Sequence, residues 1–179
     1  LSIAARLDSS CAREATEIRE QIQKNFMHLY WQPNRNYLSD VLLASRSLPA
    51  AQGQVDTALR FNQLGAIQAG LVPVEEGRMI VDLISRRLLV PAAIRSLAED
   101  PLSVPLAITD DRGTALTDPR MPYQGQCTGD ETARRVAYHN GTAWPWAYPS
   151  FIEARASVFH FSELAVKQAL AFFEPLWSH

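Results

Sequence analysis

The sequence predicts an all-α fold, and three observations carry the prediction. Apolar residues recur at spacings of three and four along most of the chain, which places them on one face of a helix. Charges fall where a helix dipole favours them, most clearly acids at 75–76 and bases at 86–87. Stretches that alternate apolar and polar residues, as half-buried strands do, are few. About six or seven helices fit the 179 residues, each taking roughly 25 residues with its connection.

The first element covers about residues 14–30. Ile18, Ile22, Phe26 and Tyr30 recur at a spacing of four, with Met27 beside Phe26 and polar residues around them, which is an amphipathic helix. Pro33, Asn34, Arg35 and Asn36 stop it. Residues 37–43 read either as a short extended segment or as the start of another helix; Asp40 within them is open to a functional role, and the plainer reading makes it a lone surface acid. Residues 45–58 are small and polar and read as a loop. A second helix covers 61–69 through Leu64, Ala66 and Ile67 and ends at Gly70. Arg60, Asn62 and Gln63 stand at its entrance. On the plain reading they cap and solvate the helix start.

A third helix follows Pro73, with Met79, Ile80, Leu83 and Ile84 as its buried stripe. Pro91 ends it and starts a short helix over 92–97. Residues 100–133 lack helical periodicity and are broken by four prolines and three glycines. An ordered loop of that length is uncommon in a compact domain and is usually functional. Most of its acids are expected to be solvated, with Asp130 and Glu131 kept as candidates for catalysis. Two helices close the chain. Phe151, Ile152 and Val158 mark one, with Pro149 able to kink it. Ala165, Ala169, Phe172 and Phe173 mark the other, with Val166 and Leu170 alongside and Ser162 as its cap.

Residues 137–146 hold two Trp, a Tyr, a His, an Asn and a Thr, punctuated by Gly141 and Pro145. Exposed indoles beside hydrogen-bonding groups suit a sugar, because the ring covers the C–H face of a pyranose while the polar groups take its hydroxyls. Thr142 is placed to cap a helix whose first turn contains Pro145. Tyr138, His139, Trp144 and Trp146 are therefore candidate substrate-binding residues. On the plainer reading both Trp are buried packing residues and His139 is a satisfied core histidine.

The run Tyr138-His139-Asn140-Gly141-Thr142-x-Trp144-Pro145-Trp146 resembles the YH-x-GT-x-WPW signature of the C-terminal amylo-α-1,6-glucosidase domain of glycogen debranching enzymes. Other segments resemble it in the same order. Arg60, Asn62 and Gln63 resemble the family's RPNQ, with Phe61 in place of Pro, and the resemblance implies that they are candidates for a sugar pocket. Residues 88–101 are similar to its LLTP-x-GLRTL…DP segment, and Tyr123, Gly125, Gly129 and Asp130 lead into the signature as the family's residues do. Arg134-Arg135 departs from the family's Arg-Asp. The resemblance covers about residues 15–175 and implies an (α/α)6 toroid. Twelve helices need about 300 residues or more, so the chain is expected to form about half of one, the C-terminal half, as a single helical domain over residues 1–179.

The resemblance also implies an inverting α-1,6-glucosidase acting on a glycogen-like α-glucan. Glycoside hydrolysis uses two carboxyls, about 6.5–9.5 Å apart in inverting enzymes. The family's acid lies in a Trp-Met-Asp segment and its base in a Ser-x-Glu-Ile-Phe-Asp segment, and neither occurs here. This piece is thus expected to supply sugar-binding residues and to be inactive alone. The alternatives are another α/α-toroid glycosidase, trehalase-like or glucosidase-like, and a non-catalytic helical carbohydrate-binding or assembly module. Half a toroid leaves apolar helix faces, so the partners expected are the rest of its own domain or a second copy.

Composition narrows the classes. A hydrophobic content of 47% with 20% charged residues is that of a globular protein. A net charge of −2 implies no nucleic-acid or anionic-membrane partner. No apolar run approaches the roughly 20 residues that span a bilayer. Cys11 and Cys127 lack metal spacing and read as free thiols of a cytoplasmic, reducing compartment. No cofactor and no metal is expected. Leu1 in place of Met suggests a processed form or a piece of something longer.

Overall fold

The computed structural model describes residues 9–174. In chain order these form α1 (Ser9–Tyr30), β1 (Trp31–Gln32), β2 (Tyr37–Leu38), β3 (Val41–Leu43), β4 (Gln54–Asp56), α2 (Gln63–Gln68), α3 (Val74–Arg87), β5 (Leu89–Val90), β6 (Ala93–Arg95), α4 (Glu131–Ala137), β7 (Ala143–Trp144), α5 (Tyr148–Val158) and α6 (Glu163–Ala171). Short 3-10 turns cover Ala50–Gln52 and Pro145–Ala147.

The all-α expectation, with the half-toroid of helical hairpins, is corrected to a mixed α/β fold. Among the described residues β1 pairs with β2, β3 with β4, and β5, β6 and β7 make one sheet, every pairing antiparallel. Strands of two or three residues are too short to show a period of two, and the strand Ala93–Arg95 lies in a run whose apolar residues also suit a helix. The helix expected over 92–97 is accordingly absent. Ala92 adopts a left-handed φ of 61°, which turns the chain back so that Leu89 faces Ile94.

The core lies where α5 packs against α2 and α3. Ile80, Ile84, Leu88, Ile94, Phe151 and Tyr148 are fully enclosed there. Helix α3 keeps its expected limits and charge order, Glu75 and Glu76 first and Arg86 and Arg87 last. Its buried face is Gly77, Ile80, Val81 and Ile84, while Met79 is 45% exposed. Gly77 explains the rotation. A Cβ there would lie 2.8 Å from Val158 Cγ1, so the glycine lets α5 approach closely.

Other local expectations divide. Gly70 ends the α2 segment with a φ of 69°. Ser162 caps α6, its Oγ accepting from the Ala165 N–H at 3.4 Å. In α1, Phe26, Met27 and Tyr30 pack on the core, but Ile18 and Ile22 are about half exposed, at 53% and 50%. Thr142 caps no following helix. Its hydroxyl donates to the Ala137 carbonyl at 2.8 Å and closes the end of α4 instead. Pro149 sits in the first turn of α5, where it lacks only an orphan donor. The Cys11 side chain lies outside the described residues; Cys127 is a free thiol.

Replacing Gly77 weighs two magnitudes against each other. Gly→Ala gains about 1 kcal/mol of helix propensity, whereas overpacking a stiff, buried valine costs about 1–3 kcal/mol. Gly77→Ala is expected to lower stability in urea unfolding by up to about 2 kcal/mol. Adding Val158→Ala should cost less than the sum of the two single variants. A more stable Gly77→Ala protein would show that α3 and α5 are not in this contact.

Candidate functional site

The site forms around Arg60, held in place by buried Leu59 and Leu64 on either side of it in the chain. Its Nε pairs with Asp40 Oδ2 at 3.2 Å, and both side chains are largely enclosed, 14% and 10% exposed. Its Nη1 donates to the carbonyls of His139 at 2.5 Å and Ser96 at 3.4 Å. One guanidinium thus joins three distant segments. Asn62 Nδ2 donates to the other Asp40 oxygen at 3.0 Å. Gln63 is buried and pins the frame. Its Nε2 donates to the Arg60 carbonyl at 2.9 Å, and its Oε1 accepts from the Leu38 N–H at 3.2 Å.

Asp40 follows the buried run Tyr37, Leu38 and Ser39, and its N–H donates to the Asp56 carbonyl in the β3–β4 ladder. Burial pushes its carboxyl above the ordinary value of 3.8. The Asn62 hydrogen bond and the Arg60 charge pull the other way, and Asp56 adds a smaller upward push.

The His139 end is built by side-chain capping of α4. Asp130 starts the helix by accepting from the Ala133 N–H at 2.8 Å. Beyond its other end, Asn140 Nδ2 donates to the Val136 carbonyl at 2.7 Å. Gly141 has a φ of 112° and its α-carbon faces the ring of Tyr123, so a side chain there is excluded both by conformation and by space. Its N–H donates to Ser96 Oγ at 3.0 Å, and Ser96 N–H donates to the Thr142 carbonyl at 2.9 Å. This continues the β6–β7 ladder and sets His139 beside Arg60.

A cleft of about 620 Å³ opens at this junction. Asp40, Arg60, Asn62, Arg135, His139 and Asn140 give it polar groups, and the long loop adds an apolar wall of Leu102, Val104, Pro105, Leu106 and Ile108. A second depression of about 330 Å³ shares Asp40, Arg60 and Asn62 and is also lined by Gln63.

The structure brings Arg60, Asn62 and His139 together on the cleft and places Gln63 on the neighbouring depression. Trp146 is 63% exposed and meets Phe61, a cleft residue, edge-on at 5.5 Å. Trp144 and Tyr138 stand apart from the cleft lining. Trp144 Nε1 donates to the Tyr138 carbonyl at 2.9 Å, their rings are 4.5 Å apart, and Tyr138 lies 4.8 Å from the His139 ring. Asp130 and Glu131 sit at the start of α4, outside both linings. Of the polar cleft residues, Asp40 is left open by the sequence, with a lone surface acid as the plainer reading, and Asn140 is not singled out by it. Asp40 signals itself only as an acid directly after a buried run. Asn140 is buried in the cleft wall, and its Oδ1 makes no protein hydrogen bond among the described residues. Among those residues no group of three or more His, Cys, Asp or Glu is arranged to hold a metal, and no helix is long and apolar enough to cross a membrane.

A family model described as amylo-alpha-1,6-glucosidase matches residues 3–107 and 112–179 of the chain. No curated protein and no solved structure matches it.

The Asp40 environment makes a pH prediction. The folded carboxyl keeps its proton above 3.8, so its contribution to stability is largest below 3.8 and falls as pH rises through the folded midpoint. Carboxyl-carbon NMR of labelled aspartate should show that raised midpoint. Arg60→Gln should move it further upward, because a charge that favours the carboxylate is gone, and Asn62→Ala should act in the same direction. A midpoint at the ordinary value, unmoved by either substitution, would contradict the enclosed pair.

Proposed function

The chain belongs to the amylo-alpha-1,6-glucosidase family, a glycosidase-type domain, and we propose that it is a segment of an enzyme that removes α-1,6-linked branch-point glucose from a glycogen-like α-glucan. In this reading the segment supplies sugar-binding residues. The observation that carries it is the convergence of Arg60 and His139, 79 positions apart, with Asn62 on one cleft that is polar on one side and apolar on the other. A sugar needs both kinds of wall, donors and acceptors for its hydroxyls and apolar surface for its C–H faces.

The chemistry is inverting hydrolysis. One carboxylic acid protonates the leaving oxygen, and one carboxylate activates water on the opposite face of the ring, about 6.5–9.5 Å away. Both carboxyls are assigned to segments absent from this sequence. This chain's part is to orient the sugar. Asn62 and the His139 ring bind hydroxyls, while Arg60 fixes the Asp40 carboxylate and the backbone at His139. The open indole of Trp146 offers a platform at the Phe61 rim for a passing glucan chain.

In the intact natural polypeptide that carries this chain, His139→Ala and Asn62→Ala should each lower kcat/KM on a branched limit dextrin by roughly 3–10-fold, the effect of one lost hydrogen bond to an uncharged partner. Unchanged kinetics in both variants would remove the cleft from the reaction. Glucose release from trehalose in preference to the limit dextrin would assign the segment to a different glycosidase.

The two indoles should separate in the same enzyme. Trp146→Ala is expected to spare the melting temperature and raise KM, at about 1 kcal/mol for a lost aromatic contact. Trp144→Ala removes a half-buried ring with its hydrogen bond and should cost about 3 kcal/mol of stability. Equal losses of stability in both would make Trp146 a packing residue.

A further inference from the structure

The Asp40–Arg60–Asn62 group lines two depressions, the main cleft and a smaller one. The smaller one has a volume of about 330 Å³. Its lining includes the stacked rings of Phe26 and Tyr30, 4.9 Å between centroids and 21° from parallel, and Gly65 of α2. Gly65 has no internal explanation. It sits inside a helix without a left-handed φ, where glycine costs about 1 kcal/mol relative to alanine. A Cβ built on it meets no atom within 4 Å. The chain's own packing therefore does not require a glycine at this exposed position, which lines the same depression as the aromatic pair.

The chemistry of the depression suits a sugar ring. Asp40 receives one hydrogen bond from Asn62 and one ion pair from Arg60, while a carboxylate offers about four acceptor sites. Acceptor capacity for hydroxyl donors remains on a group that both depressions share. Phe26 and Tyr30 supply the apolar surface for a C–H face. A volume of about 330 Å³ stands at the small end of ligand sites, roughly 300–1,000 Å³, which is room for one hexose rather than an oligosaccharide.

We propose that this depression is a second sugar subsite that takes a single glucosyl unit against Phe26 and Tyr30, with Gly65 as the residue that leaves room for it. The proposal rests on the reading of the main cleft as a glucan site and deepens it. A glucan that spans the Asp40–Arg60–Asn62 group, which both depressions share, would occupy the two at once.

The test uses the intact natural polypeptide, with D-glucose and maltoheptaose binding measured by calorimetry. Gly65→Leu and Gly65→Gln both place a side chain in the open space and add a good helix former, so melting temperature should hold or rise. Each should weaken glucose binding by about ten-fold or more, while Gly65→Ala, adding one methyl, should weaken it by less than about three-fold. His139→Ala, which lines only the main cleft, should weaken maltoheptaose, and adding Gly65→Leu to it should still weaken glucose by about ten-fold. Unchanged glucose affinity in Gly65→Leu and Gly65→Gln, with maltoheptaose still weakened by His139→Ala, overturns the second subsite and leaves the glucan reading standing. No sugar binding by the unsubstituted protein, or none altered in any variant, overturns both.

Discussion

The guanidinium of Arg60 is the contact on which the site depends. Its ion pair with Asp40 and its bonds to the Ser96 and His139 carbonyls tie the Asp40 segment to the two that the β6–β7 pairing joins. Only arginine has a planar fork able to bond in several directions at once. The arrangement is also self-locking. Asp40 is enclosed enough that burial raises its proton affinity, so an Asp40 deprived of Arg60 would be a poorly compensated buried charge. That penalty, more than the attraction of the pair, keeps the segments from drifting apart.

Arg60 is in turn held from behind. Gln63 ties the Arg60 carbonyl to the Leu38 N–H, so the backbone before α2 and the strand before Asp40 move as one. On the far side, Ser96 bonds Gly141 and Thr142 and extends the β6–β7 pairing up to the His139 turn. The small three-stranded sheet is therefore more than a departure from a helical plan. It is what carries the aromatic-rich stretch to the segment before α2 that holds Arg60 and Asn62. Buried polar residues in this frame are mostly satisfied, and the Oδ1 of Asn140, in the cleft wall, is an exception.

How much of this was legible in the sequence follows from the range of each interaction. Helix α3 was readable end to end, because its charges and apolar stripe are local, yet its buried face was misjudged at Met79, since Gly77 matters only through Val158 on another helix. Gly70, Ser162 and the irregular stretch after residue 100 were readable for the same local reason. The strands were not. Their stability comes from partners elsewhere in the chain, and two or three residues carry no period. Thr142 had the right chemistry for a cap and was given the wrong helix, because the choice between the end of α4 and the start of the next turn depends on the Gly141 bend. His139 was found through the aromatic-rich stretch around it, and Arg60 and Asn62 through a resemblance. Asp40 was left open because nothing near it in the chain shows that Arg60 and Asn62 enclose it.

The two indoles show how backbone geometry divides chemically equal side chains. Trp144 lies in β7, opposite Ile94, and its ring folds back to give its N–H to Tyr138. Trp146 is in the 3-10 turn that follows, where the chain leaves the sheet, and its ring stands in solvent against the edge of Phe61. An exposed indole has no folding advantage that a smaller residue would lack, because its apolar face stays in water. Trp144 can be accounted for by the fold. The fold leaves the Trp146 ring uncovered, and Phe61 ties it to the cleft lined by both polar groups and apolar side chains.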